Sequence, residues 1–564
     1  MERTKPRPHL RHQGRTMNLI DMPWIPAATR DGRHDTYGIR QLFHEAGNIA
    51  WLDLTAEERL PLIRLLAAIL IRAHADDPDP VEAWRRQWAA NRLDMEPIDR
   101  YLNRWQDRFD PADPVHPFMQ TSGLKVREHP AADLTLQYPP FTDHHGDRLD
   151  AGRAMLRLLS VNAYDGGGIK PADPHDLRAK AGKLLPASGL NMVGTLGRFH
   201  AVWPEYPTLA RTLLANSPLR TVDGTPTTGA DDLPAWERNP LTMETLGGTP
   251  DGICDELTMT SRRVLIDFDQ DGTATGFRLT YGRITGRENL TKKEPHCIWD
   301  RTGATPAGVS ERQPGLPLWW RLPAIQGVRR PLALDWAREL AGSGPSMTLN
   351  WMACPYKQGT RPITISHEQA TIRTGMIDNP MAGVLVSQTI RAVHAYTRLA
   401  GDITRKWTPD MADQLTEETA SRLTLVMNQL LADMPTDPYE TVHQVMREWG
   451  DELAKQQPMR SAQAYMLYLA TLNRIGDDQQ TTAGPEQTAS TVKPVSPHGR
   501  TPKPIIRHGG GLADARFDTV KDAVEWLHNN SKPKAAAAGI YLALRKQSVA
   551  YGYKWKHAEG NMER

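Results

Sequence analysis

Leu423-Thr424-Leu425-Val426-Met427-Asn428-Gln429-Leu430-Leu431-Ala432-Asp433-Met434 carries Leu423, Val426, Met427, Leu430, Leu431 and Met434 at spacings of three and four. That is the period of one buried helix face. Asp437-Pro438 follows, an N-cap with proline at the first helical position. The helix it opens has the face Tyr439, Val442, Met446, Trp449 and Leu453. A helical pattern also precedes this pair, over about 381–405, and another follows over about 460–475 with Tyr465, Tyr468, Leu469 and Leu472. Short connections make neighbours antiparallel, so 379–476 reads as a four-helix bundle.

Upstream, 17–378 reads as a large mixed α/β domain, which makes the fold class α+β. Met17 to Pro26 suggests an edge strand running into a proline-broken turn. Thr55 and Glu58 have capping-box spacing ahead of Leu60, Leu62, Ile63, Leu65, Leu66, Ile69 and Leu70, a buried core helix. A second helix is expected over about 80–108, its Trp84, Trp88 and Trp105 serving as packing. Helices are also expected over 151–163, 208–216 and 333–341. Val264, Ile266 and Phe268 alternate with polar residues, and Asp271-Gly272 supplies a hairpin turn within 257–282. Asp267, Asp269 and Asp271 imitate a calcium loop, but its twelfth position is Arg278 where a bidentate glutamate is needed.

A chain of 564 residues exceeds one core. Its formal net charge is only +2, so any nucleic-acid surface must be local. Residues 500–564 hold 7 Lys and 5 Arg against 3 Asp and 3 Glu, a net of +6, which leaves −4 for 1–499. Cys254, Cys297 and Cys354 form no C-x-x-C pair, which fits a reducing cytoplasm without zinc ribbon or disulfide framework. No apolar run reaches the length of a membrane span, and no cofactor motif occurs. Residues 1–16 are basic without an apolar h-region and read as a disordered extension.

Asp165-Gly166-Gly167-Gly168-Ile169-Lys170 strips three Cβ atoms from one short segment and adds a cation. Such a loop suits close approach to a phosphate backbone or narrow groove. It is neither a P-loop nor a dinucleotide fingerprint. Arg283, Arg287, Lys292 and Lys293 cluster in a loop-like stretch, either a binding finger or a solvated face. Tyr356-Lys357-Gln358-Gly359 precedes Thr360-Arg361-Pro362 in a tight turn, where Gln358 beside Gly359 is either a rigid polar wedge or an ordinary exposed glutamine. His144 and His145, with Asp143 and Asp147, suggest a metal site. Adjacent side chains do not usually converge on one ion, so a solvated loop is favoured.

His116-Pro117-Phe118-Met119-Gln120, with Met17 to Pro26, the leucine-rich helix after Thr55 and the glycine loop, occurs in an order that resembles the CasA family. CasA is the large subunit of the type I-E CRISPR surveillance complex, Cascade. The resemblance spans about 17–475 and is strongest in the first 170 residues. It implies a DNA-recognition subunit rather than an enzyme, with other Cascade subunits, guide RNA, target duplex, displaced strand and a helicase-nuclease as partners. It implies three probes of the protospacer-adjacent motif (PAM): the loop Gly166, Gly167 and Gly168 with Lys170, a minor-groove lysine, and a wedge at Gln358-Gly359. The family's lysine falls nearest Arg283, and Lys292 and Lys293 are the nearest actual lysines. It also implies the bundle. Arg391, Arg398, Arg405 and Lys406 on the first bundle helix either touch displaced DNA or keep that face soluble, the latter being favoured.

Residues 477–515 lack apolar periodicity and read as a linker. Within 516–558, Val520 to Leu527 and Lys532 to Arg545 read as two helices around a polar turn, ending in the strand-like Ala550-Tyr-Gly-Tyr-Lys-Trp-Lys556. This is similar to the NUMOD-type modules of homing endonucleases and suggests a helix-turn-helix. Lys532, Lys534, Arg545, Lys546, Lys554 and Lys556 are its candidate phosphate contacts. Two other functions remain open: a metal-dependent hydrolase built on His144 and His145, and a DNA-binding regulator acting through this module.

Overall fold

A computed structural model of the chain describes residues 17–134, 149–184, 193–238, 249–283, 290, 293–300, 302–307, 315–357, 361–362, 364–404, 408–456, 462–477, 505–508, 514–517, 519–529, 540–541, 543–544 and 549–557. Two compact units divide the chain, Met1–Thr482 and Ala483–Arg564.

The first unit is mixed α and β. Its opening sheet has Ile25–Thr29 at the centre, antiparallel to His34–Tyr37 and to Ile49–Leu52. The edge strand expected over Met17 to Pro26 is therefore corrected: turns come first, and the strand begins at Ile25 and is central. Pairing with Ile49–Leu52 starts only at Ala27, so the N–H that Pro26 lacks falls outside that ladder. The core helix Ala56–Ala73 follows Thr55, and Leu60, Leu62, Ile63, Leu65, Leu66, Ile69 and Leu70 are all buried.

The single helix expected over 80–108 is two, Pro80–Ala90 and Met95–Trp105. Asn91 ends the first in a left-handed conformation, φ 50°, which asparagine tolerates better than most residues. Its side chain fastens the break, donating to the Gly47 carbonyl at 3.2 Å and accepting from the Thr208 hydroxyl. The Asp79 and Asp94 carboxylates cap the two helices.

Two further antiparallel sheets complete the body. In one, Thr273–Tyr281 pairs with Arg262–Phe268 along one edge and with Glu128–Pro130 and Leu149–Asp150 along the other. The turn expected between the hairpin strands is present, with Gly272 at φ 79° and the Asp269 carboxylate accepting from the Thr273 N–H at 2.9 Å. In the other sheet, Ser346–Ala353 lies between Ser366–Arg373 and Ala201–Glu205. The His116–Gln120 segment proves structural. Phe118 stacks on Phe109 at 4.8 Å, and Gln120 Oε1 accepts from the Ile266 N–H at 2.7 Å.

On the core helix Arg64 is buried with Glu294, its guanidinium 2.7 and 3.1 Å from the carboxylate oxygens. Arg64 also donates to the Glu256 carbonyl at 2.7 Å, and His296 Nε2 lies 3.1 Å from Asn216 Oδ1. Burial, the Glu294 carboxylate and the proximity of Asp255 push the Glu256 carboxyl up to about 8, against the pull of Arg198 and Arg64. This network joins the core helix to Ile253–Thr258 and to the 294–296 segment.

The bundle consists of Pro380–Thr404, Pro409–Asp433, Pro438–Gln456 and Ala462–Asp477. The first helix packs against the other three, around Leu385, Val393, Leu423, Met427, Met446, Tyr468 and Leu472. Asp437 caps the third helix, accepting from the Glu440 N–H at 3.2 Å.

In the second unit Ile505–His508 is an inner strand, although the sequence placed it in the linker. The sheet order is Ala515–Phe517, Ile505–His508, Tyr553–His557, Val549–Ala550, all antiparallel. Helix Val520–Asn529 packs on it through Ala523 and Leu527. The first of the expected helices is present as Val520–Asn529, and within the second the described residues 540–541 and 543–544 are helical. What the sequence did not show is the accompanying sheet, which brings 505–508 and 553–557 together.

Replacing Arg64 by alanine leaves Glu294 buried without its main counter-charge. A loss of about 3–5 kcal/mol is expected, measured as a lowered unfolding midpoint; an unchanged midpoint excludes this role. In the bundle, a Cβ on Gly450 runs into the ring of Tyr468, whose hydroxyl donates to the Met446 carbonyl at 2.6 Å. Gly450→Ala is therefore expected to destabilise the bundle by about 1–3 kcal/mol through overpacking, although alanine is the better helix former. Faster hydrogen exchange confined to the bundle amides is the readout, and slower exchange contradicts it.

Candidate nucleic-acid interface

The glycine loop leaves the end of helix Ala151–Tyr164. Its first residue, Asp165, is held by the first residue of the hairpin. Arg262, with a side chain only 1% exposed, pairs with the Asp165 carboxylate and donates to the carbonyls of Asp165 at 2.8 Å and Gly166 at 3.2 Å. The last residue of the same hairpin holds the other end. Tyr281 donates to the Gly168 carbonyl at 2.6 Å and accepts from the Gly168 N–H at 2.9 Å. Gly168 has φ 150°, which suits glycine alone.

Lys170 returns to the frame. Its ammonium is 2.7 Å from Asp165 and 5.5 Å from the Tyr281 ring centre, and Arg262 lies 4.9 Å from that ring on its own account. Burial pushes the Lys170 ammonium down, against the pull of Asp165. Burial alone raises the Asp165 carboxyl, but Lys170 and Arg262 outweigh it and hold the group below the usual carboxylate range. Burial and Arg262 act in opposite directions on the Tyr281 hydroxyl, and burial prevails, pushing it up to about 12. Tyr281 therefore stays protonated and able to donate at neutral pH.

Gly166 and Gly167 are buried, Gly168 is half-buried, and Ile169 is the tip at 64% exposure. The sequence reading missed Ile169 because it sought cations and bare backbone. It missed Arg262 and Tyr281 because nothing local marks two strand ends as the seat of a distant loop. Gly194 escaped it as well: its N–H donates to the Asp165 carbonyl at 2.8 Å, and a Cβ there meets the backbone of Ala163 and Tyr164.

The strand pair that flanks Gln358 in sequence is rooted on the same frame. Tyr356–Lys357 pairs with Arg361–Pro362, and the buried Tyr356 hydroxyl donates to the Tyr164 carbonyl at 2.7 Å, one residue before the loop. Gln358 and Gly359 themselves lie outside the described residues.

The basic stretch behaves differently. Arg283 is 8% exposed, its guanidinium 2.6 and 2.7 Å from the two Asp255 oxygens and 2.9 Å from the Thr249 carbonyl. As a minor-groove finger it is corrected: it is a buried, neutralised brace. Lys293 donates to the Asp251 carbonyl at 3.4 Å, and Lys292 lies outside the described residues. Lys170, likewise, is an internal brace and not an open cation. Arg391 and Arg398 are both exposed and seven residues apart on one bundle helix, with Arg398 donating to the His394 carbonyl. Arg405, Lys406, His144, His145, Lys532, Lys534, Arg545 and Lys546 lie outside the described residues, whereas Lys554 and Lys556 are exposed. Among the described residues no group of three His, Cys, Asp or Glu could hold a metal, and no helix is long and apolar enough to cross a membrane.

A family model described as CRISPR-associated protein Cse1 matches residues 18–478. A relative from Thermus thermophilus, described as CRISPR-associated protein CasA/Cse1, is 30% identical over 245 residues, which is 41% of this chain and 44% of that relative. The match therefore spans under half of the relative's length. Among solved structures, Cse1 of Thermobifida fusca superimposes with a TM-score of 0.71 at 22% identity, covering 82% of this chain and 98% of that one. Cse1 of Acidimicrobium ferrooxidans gives 0.67 at 23% identity, covering 82% and 99%. A chain of the structure "CRISPR RNA-guided surveillance complex, pre-nicking" gives 0.59 at 18% identity, covering 81% and 98%. These likenesses concern the fold, and the family model rests on the sequence itself across most of the first unit. The chain belongs to the CRISPR-associated protein Cse1 family.

Proposed function

We propose that the chain is the large subunit of a type I-E RNA-guided surveillance complex. In this reading it recognises the PAM in duplex DNA, starts unwinding for R-loop formation and recruits a helicase-nuclease. It works as a binding subunit and not as an enzyme, in the cytoplasm, with guide RNA and the other Cascade subunits as partners. Family membership over residues 18–478 supports the general role. The observation that carries the finer reading is the Tyr356 hydroxyl on the Tyr164 carbonyl. It roots the Gln358 turn one residue from the glycine loop, so two sequence-distant probes share one rigid base.

The mechanism follows from what that base presents. Lys170 and Arg283 are engaged inside the protein and Tyr281 holds the Gly168 N–H and carbonyl, which leaves the Ile169 side chain as the loop's outward feature among the described residues. A narrow glycine loop with an apolar tip reads the minor groove coarsely, by shape, in a groove whose hydrogen-bond code is itself degenerate. Tolerance of several PAM sequences follows, while guide pairing supplies specificity. Gln358 acts as the wedge that replaces stacking lost by the first opened pair. The bundle shifts as the R-loop forms.

R-loop formation by the reconstituted complex on PAM-bearing duplex tests this. Gln358→Ala and Ile169→Glu are each expected to assemble normally and to open the target at least about tenfold more slowly, a loss of roughly 1.4 kcal/mol. Normal opening in both, with assembly intact, removes the probe assignment. Failure of the wild-type chain to assemble with the other subunits removes the whole reading.

Tyr281→Phe tests the frame separately. It deletes two hydrogen bonds to Gly168 and keeps the ring beneath Lys170 and Arg262. A cost of about 1–2 kcal/mol in loop order is expected, read as a several-fold slower opening with unchanged global stability. Wild-type rates in this variant place the loop's order elsewhere.

A further inference from the structure

The second unit lies beyond the residues matched by the family model, so its role must come from its own surface. Its sheet has two chemically distinct faces. Directly paired residues of antiparallel strands share a face. Ile505 pairs with Phe517 and His557, and Arg507 with Ala515 and Trp555. Of this face, Ile505, Phe517 and Trp555, with Tyr553, pack in one core with helix Val520–Asn529, and Arg507 and Ala515 are buried and half-buried beside them. Arg507 is itself sandwiched here, 4.6 Å from the Trp526 ring centre and 4.8 Å from that of Tyr553.

The opposite face holds Arg516 and Lys556 on either side of Ile506, with Lys554 beside Val549. Arg516, Lys554, Lys556 and Val549 are exposed. None of the three cations has an ion-pair partner among the described residues. The four strands contain no Asp or Glu at all.

We propose that this open sheet face binds the sugar-phosphate backbone of nucleic acid without reading its sequence. Charge complementarity selects the occupant: residues 500–564 carry a net +6, and the strands concentrate on one side exposed cations that have no ion-pair partner among the described residues. Lys554 and Lys556 are about 6.8 Å apart along one strand, and Arg516 lies two strands from Lys556, about 10 Å away. A backbone with one charge per about 3.4 Å of axis per strand places two or three phosphates across that span. Phe517, Tyr553 and Trp555 lie on the other face, against the helix. Among the described side chains the face therefore lacks both the stacking platform that selects bases and the aromatic anchors of a membrane surface. This placement differs from a recognition helix in a groove, and it adds Arg516, which the helix-turn-helix reading did not include.

The test uses the full chain alone and a DNA duplex with no PAM and no guide match, so it is independent of the role proposed for the first unit. Anisotropy is measured from 50 to 300 mM salt. Each phosphate contact contributes about −0.9 to the slope of log affinity against log salt. The triple variant R516Q/K554Q/K556Q is expected to flatten that slope by up to about 2.7 and to bind at least tenfold more weakly at low salt. R516K, which keeps the charge, is expected to keep the slope and shows that the position tolerates substitution. An unchanged slope and affinity in a folded triple variant overturns the proposal. So does a triple variant that loses binding to phosphatidylserine vesicles while its DNA affinity stays intact.

Discussion

Arg262 and Asp165 form the contact on which the candidate interface depends. One carboxylate ends a buried helix, accepts from a guanidinium at the start of a hairpin, and draws in the ammonium of Lys170. Removing one partner of such a buried pair typically costs about 3–5 kcal/mol. Here it would also free the two loop carbonyls that Arg262 holds. The hairpin returns nine residues of strand later to deliver Tyr281 to the far side of the same loop. A single β-hairpin thus grips the glycine loop at both ends, and its rigidity becomes the loop's rigidity.

The frame also explains why basic residues in the sequence are poor guides to the surface. Lys170 and Arg283 both follow segments that look like open loops, and both are drawn inward by carboxylates distant in sequence or hidden by local folding. An isolated charge is costly to bury, so these two cations are found with their acids. The outward feature left at the loop is Ile169, an apolar side chain. The second unit shows the reverse. Its strands hold no acid, so Lys554, Lys556 and Arg516 stay in solvent while Arg507 is accommodated between two aromatic rings.

Periodic elements were legible from local order. The bundle stretch from Leu423, the proline entry at Asp437-Pro438 and the alternation through Val264, Ile266 and Phe268 each state their partner face within a few residues. Breaks were less legible. Asn91 splits one expected helix because its side chain reaches Gly47 and Thr208, contacts no local window contains. Ile505–His508 looked like linker because four residues flanked by polar sequence show no period, and the strand exists only by pairing with 515–517 and 553–557.

The sequence by itself determined the α+β class, the four helices of the bundle, the main hairpin and the resemblance to a family that the comparisons then established. These depend on side-chain periodicity and turn chemistry, which act over a few residues. Tertiary structure alone decided which glycines are buried, which cations are neutralised, and that the glycine loop and the strand Tyr356–Lys357 meet at Tyr164. Those outcomes depend on pairings across about a hundred or more residues, such as Asp165 with Arg262 and Tyr164 with Tyr356. A buried charge or carbonyl takes whichever partner the fold brings within hydrogen-bond reach, and that partner has no signature in the residues beside it.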